Sequence, residues 1–170
     1  MRGSTGPPDG EAPQASLEQL RRSGFRIDRE GEFRHDGAAV RHEGLRQALF
    51  RWLDVHPDGR TILRLDRDRF AYVDVDDTPL VVRAARVHDG AILLSLSDGA
   101  EEMLNPATLD IDADGILRCA AREGRLTARL STSAAAVVAD LIEDRPEGPT
   151  LVLPAAAFRL RPHSRTSHPT

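Results

Sequence analysis

The chain has 170 residues, 40% apolar and 29% charged, the proportions of a folded protein that needs neither metal nor disulfide to hold its core. Its net charge of -4 argues against a nucleic-acid partner, since nonspecific phosphate binding takes an excess of basic groups. The lone Cys119 excludes an internal disulfide, and no apolar run approaches the ~20 residues of a membrane span.

Residues 1–15 read as a disordered leader, because Gly3, Gly6, Pro7, Pro8, Gly10 and Pro13 interrupt any regular element. They also lack the apolar core of a signal peptide, so the expected location is cytoplasmic, with no membrane contact. Ser16 and Gln19 form a capping box that opens a short helix ending at Gly24. Phe25–Asp28 and Glu32–His35 read as strands, and Asp36-Gly37 turns the chain into Ala38-Ala39-Val40. A helix follows from His42 to Leu53, with Leu45, Ala48, Leu49, Trp52 and Leu53 as its apolar stripe and with Trp52 and Phe50 as its anchors.

Strands come next at residues 60–65 and 69–75, then a hairpin of Leu80–Val87 and Ala91–Ser97 across Asp89-Gly90, a dipeptide suited to a type I′ turn. Thr108–Asp112, Ile116–Arg122 and Arg125–Leu130 form a meander. A second helix spans residues 133–143, strands lie near 150–153 and 156–160, and residues 161–170 read as a disordered tail. The expected fold is a single α+β domain over residues 16–160, a twisted antiparallel sheet with two to three helices. Its parts repeat: Ile27-Asp28-Arg29-Glu30-Gly31 echoes Ile111-Asp112-Ala113-Asp114-Gly115, and Pro57-Asp58-Gly59 echoes Pro146-Glu147-Gly148. The agreement in order points to two related β-hairpin–helix–β halves, 25–82 and 105–160.

From Phe25 to Val82 the chain resembles the bacterial DUF1285 family. Ile27, Gly31, Phe33, His35, Gly37 and Val40-Arg41 carry the likeness, followed by the Leu45, Leu49-Phe50 and Leu53 helix, Asp58-Gly59 and Val75-Asp76-Asp77-Thr78-Pro79. Phe33, Ala39 and Leu80 depart from the family's expected Trp, Pro and Phe. The resemblance implies an α+β fold of two related halves and carries no activity with it.

Three groupings are chemically eligible. Asp110, Asp112 and Asp114 open like a calcium loop, but calcium takes six to eight oxygens and the position of the closing carboxylate holds Ala121. A hairpin turn is therefore expected there, and no metal. Asp74 and Asp76 share a strand face, about 7 Å apart, beside Asp77. With His35 they make the alternative site, that of a small hydrolase- or lyase-like enzyme, unless Arg64, Arg83 or Arg86 neutralises them across strands. The third is the meander. Leu117, Cys119, Ala121, Leu126, Ala128 and Leu130 fall on one face, leaving Arg118, Arg122, Arg125 and Arg129 on the other, where Asp110 and Asp112 of the preceding strand would make the face structural if they saturate the arginines. All 23 basic residues are arginine, the planar fork that pairs with carboxylate or phosphate.

No nucleophile elbow, phosphate-binding glycine loop or zinc spacing occurs, so no catalytic residue and no cofactor is assigned. The leading reading is a non-enzymatic binding module whose partner is an anionic small molecule or an acidic protein, with the four arginines as its ligand site. A further reading is an interaction domain that forms a homodimer through a sheet edge.

Overall fold

The computed structural model describes residues 22–163. The first sheet begins with β1 (Arg22–Ile27), which turns at Asp28–Gly31 into β2 (Phe33–His35) and β3 (Ala38–Ala39). Helix α1 (Glu43–Trp52) follows, started by His42, whose ring nitrogen accepts from Leu45 N at 3.2 Å. β4 (Leu53–Val55), β5 (Thr61–Arg64) and β6 (Phe70–Val75) complete it. The helical crossover returns the chain beside its start, so β6 pairs with β1 in parallel and the order is β3-β2-β1-β6-β5-β4.

The second sheet opens with a hairpin of β7 (Leu80–His88) and β8 (Ala91–Leu96). Its turn residues Asp89 and Gly90 have φ of 49° and 75°, the doubly left-handed conformation of a type I′ turn. β9 (Glu101–Met103), a 3-10 turn at Pro106–Thr108, β10 (Asp110–Ile111), β11 (Leu117–Ala121) and β12 (Leu126–Leu130) follow. After helix α2 (Thr132–Ala139), β13 (Ile142–Arg145), β14 (Gly148–Val152) and β15 (Ala157–Arg159) form a separate three-stranded sheet. β16 (Arg161–Pro162) then returns to pair with β10, giving the order β16-β10-β11-β12-β7-β8-β9.

The molecule is thus strand-rich, with two helices among the described residues, and its sheets are mixed. Three pairings are parallel, β1 with β6, β10 with β16 and β12 with β7, where the sequence suggested antiparallel pairing throughout. Each joins strands separated by long connections, which alternation of residue types does not reveal. The expected leader lies outside the described residues, as do residues 16–21 of the expected first helix. Where that helix was to end, Arg22–Ile27 is a strand. The expected tail begins too early, because β16 occupies Arg161–Pro162 and His163 N donates to Ile111 O at 2.8 Å. The second helix stops at Ala139, and Ile142 starts a strand instead.

One contiguous apolar cluster runs from Ile27 to Leu160. The inward meander face lies in it as read from the sequence, all six residues buried. Cys119 is among them, and burial pushes its thiol up to about 12, so it stays protonated. Helix α1 is rotated from its expected face. Leu49, Phe50 and Leu53 are buried, with the Phe50 ring 4.9 Å from Phe33, whereas Leu45 is 41% and Trp52 36% exposed. Arg46 sits on the inner edge instead, held by Glu32 and Glu43.

The two echoed turns are built alike. Asp28 Oδ1 accepts from the backbone N–H of Glu30 and Glu32 at 3.1 and 2.9 Å, and its Oδ2 accepts from Arg34 at 2.8 Å. Asp112 Oδ1 accepts from Asp114 and Ile116 at 2.9 and 3.0 Å, and its Oδ2 accepts from Arg118 at 2.7 Å.

Phe50→Ala should lower the unfolding free energy by about 3–5 kcal/mol, and Trp52→Ala by about 1 kcal/mol. Denaturant titration checks both, and equal losses would contradict the rotated face.

Candidate functional site

Asp76, Asp77 and Thr78 leave the end of β6 and enter the second sheet, and two anchors restrict the path. Asp76 N donates to Ile27 O at 3.0 Å. Thr78 Oγ1 donates to Leu80 O at 2.6 Å and accepts from Arg129 N at 3.1 Å. Asp77 is therefore held between two fixed neighbours, and its side chain reaches the β11–β12 hairpin.

There Arg118 and Arg129 stand directly opposite each other, so both guanidinium groups rise on the outer side of the sheet. Arg118 is only 7% exposed. Its Nη1 donates to Asp112 Oδ2 at 2.7 Å and its Nη2 to Asp77 Oδ1 at 3.0 Å. Burial opposes its charge, but these hydrogen bonds outweigh burial and raise its pKa above the ordinary value. Arg129 spends Nη2 on Arg29 O. Its Nε lies 3.1 Å from Asp77 Oδ2, within ion-pair distance, yet this buried N–H has no acceptor in hydrogen-bonding alignment.

This junction forms one wall of an open groove of about 1390 Å³ between the sheets. Asp74 and Asp76 line another wall, with Tyr72 and Arg60 farther along and Arg29 and His163 at other points. Asp58 supports the Tyr72 end, accepting from the Arg60 guanidinium at 2.9 Å and from the Tyr72 hydroxyl at 3.2 Å, while Arg60 stacks 3.6 Å over the Tyr72 ring. Burial pushes Asp58 up, and its hydrogen bonds to Arg60, His56 and Tyr72 overcome that, holding it well below the usual carboxylate range.

All three groupings singled out in the sequence thus meet in one groove, each only in part. The four arginines do not converge. Arg122 opens the β11–β12 turn with φ of 50°, and its side chain runs to Asp98 at 2.7 Å and Leu53 O at 3.3 Å. Arg125 lies 3.8 Å from Asp54. That turn carries both residues away from Arg118 and Arg129.

In the acidic grouping, the partner of Asp76 is Arg26 on the parallel neighbour β1, not an antiparallel one. Arg64, Arg83 and Arg86 are engaged by Asp54, Glu32 and Glu101 instead. His35 is not brought to these carboxylates. Its ring packs 4.6 Å from Phe25, with Nδ1 3.6 Å from Asp36.

Sequence reasoning missed His163, whose Nδ1 is 3.0 Å from Asp110 Oδ2. Asp112, expected from the sequence as a neutralising neighbour of the arginine face, is indeed the partner of Arg118. Among the described residues no group of three His, Cys, Asp or Glu side chains is placed to hold a metal ion. No helix among them is long and apolar enough to cross a membrane.

No family model matches the chain, and no curated protein matches it. Solved structures do. A DUF1285 family protein from Silicibacter pomeroyi DSS-3 superposes with a TM-score of 0.68 at 18% identity, over 82% of this chain and 80% of its own. A DUF1285 family protein from Shewanella baltica OS155 gives a TM-score of 0.53 at 18% identity, over 64% of this chain and 84% of its own. The chain has the fold of these proteins, and the likeness first carried by residues 25–82 extends over most of its length.

The Arg118 hydrogen bond, with two backbone donors, lowers Asp112 from its ordinary 3.8 to about 2. A carboxylate whose pKa is depressed on folding stabilises fully above its unfolded value, and that contribution is lost as pH falls through the folded one. Acid titration of the wild type should therefore show stability lost between about pH 4 and 2, and Asp112→Asn should remove that part of the acid limb. An unchanged acid limb in the variant would contradict the pairing.

Proposed function

We propose that this protein is a non-enzymatic binding module that takes a small anion in the groove, at Arg118 and Arg129 with Arg29 beside them. The observation that carries this reading is the buried Arg129 Nε–H with no aligned acceptor. A buried donor without an aligned acceptor is uncommon in folded proteins, and an oxyanion entering the groove would supply one. Two opposed guanidinium groups suit oxyanion oxygens, and both line the groove.

The acidic residues support catalysis less well. Asp76 is neutralised by Arg26 and Asp77 by two arginines, which leaves neither as an unencumbered base, and His163 in the same groove is paired with Asp110. The buried thiol of Cys119 and the absence of disulfides suit a cytoplasmic setting.

We also read the fold as two related halves. The matched Asp28 and Asp112 turns support this, as do the parallel pairings that close each half, β1 with β6 and β10 with β16. At the same place in each half lies an ion pair of reversed sense, Arg26–Asp76 in the first and Asp110–His163 in the second. The groove falls between the halves, so duplication itself supplies a concave surface with charged walls.

Inorganic pyrophosphate should raise the melting temperature of the wild type by several degrees, with the shift weakening as salt is added. Arg129→Gln should abolish the shift while the far-ultraviolet spectrum is unchanged. A full shift in that variant, or none in the wild type, would refute the reading.

A further inference from the structure

The anion site proposed above already contains an anion belonging to the chain. Asp77 Oδ1 accepts a hydrogen bond from Arg118 Nη2 at 3.0 Å, and Oδ2 sits 3.1 Å from Arg129 Nε. The fit is incomplete, because the Nε–H has no aligned acceptor. The reason is geometric. One carboxylate has two oxygens in a plane, and the backbone on both sides of Asp77 is fixed, by Asp76 N on Ile27 O and by Thr78 on Leu80 and Arg129. The carboxylate reaches both guanidinium groups but is aligned with only one of them. Its side chain retains its own torsions, so it leaves the fork by rotating while the backbone stays in place.

Resting on the anion reading of the groove, we propose that Asp77 is a built-in occupant of the Arg118–Arg129 fork, and that a phosphate group displaces it. Phosphate has the additional oxygens that the fork leaves unmatched and the larger negative charge needed to compete with a tethered carboxylate. Arg118 keeps its bond to Asp112 throughout, so the fork stays aligned during the exchange. Asp77 then sets the affinity of the site: it holds the arginines paired when the groove is empty and taxes every anion that enters.

Calorimetric titration with inorganic phosphate at fixed ionic strength tests this on three chains: wild type, Asp77→Asn and Asp77→Asn with Arg129→Gln. Removing one negative charge from between two cations should tighten phosphate binding at least about tenfold in Asp77→Asn. The added Arg129→Gln should abolish the gain. Equal affinity in wild type and Asp77→Asn overturns the displacement while leaving the anion reading intact. No phosphate binding in either overturns both. Should Asp77→Asn fail to fold, nitrogen-15 spectra of the wild type decide. The Arg129 Nε resonance should move on phosphate addition, and a resonance that stays fixed while phosphate binds overturns the proposal.

Discussion

A guanidinium that cannot be deprotonated is buried in this protein, and the surrounding chain is arranged to accommodate it. Arg118 comes from the middle of β11, where its neighbours Leu117 and Cys119 face the apolar cluster and its own side chain must rise on the opposite side. Left without partners there, such a charge would cost several kcal/mol. The two carboxylates that offset the cost come from different places. Asp112 lies in the turn just before β11, while Asp77 lies on the segment joining the first sheet to the second. The local partner makes the hairpin turn rigid, and the distant one fixes how the β6 end meets the β11–β12 surface.

The groove follows from that junction. The backbone anchors at Asp76 and Thr78 hold the end of β6 beside the second sheet, and Asp74 and Asp76 line the same groove as Arg118 and Arg129. Arg29, at the tip of the β1–β2 turn, is brought in by the bond from Arg129 to its carbonyl. The same contacts that hold the sheets together leave one guanidinium N–H unspent. On the proposed anion reading, stability and binding capacity are properties of one network, with Asp77 in the place a ligand would take.

Much of this was legible in the residue pattern. The period-two alternation of β11 and β12 identified the buried face and put Arg118 and Arg129 on the other, and the Asp89-Gly90 turn formed as its chemistry requires. The Ile-Asp-x-x-Gly echo marks both aspartate-capped turns. What failed shares a physical cause. Parallel pairing, the rotation of α1 that exposes Trp52, and the capture of Arg118 by Asp77 all depend on contacts between residues far apart in the chain, on which local periodicity carries no information. The arginine face was overextended because alternation was carried through Arg122, where a left-handed φ ends the strand and redirects the side chain. The alternative site failed at His35 for a similar reason: proximity along one strand and turn did not imply proximity to β6.

The central claim is that Asp77 and Arg118 interact across the junction as a coupled pair and are not merely adjacent. A double-mutant cycle in denaturant, using Asp77→Asn, Arg118→Met and the two combined, measures this directly. A coupling free energy of about 1.5–3 kcal/mol is expected, since a hydrogen-bonded charge pair with little exposure is at stake. Additive losses, with coupling near zero, would mean that the junction is held by packing alone and would contradict the account.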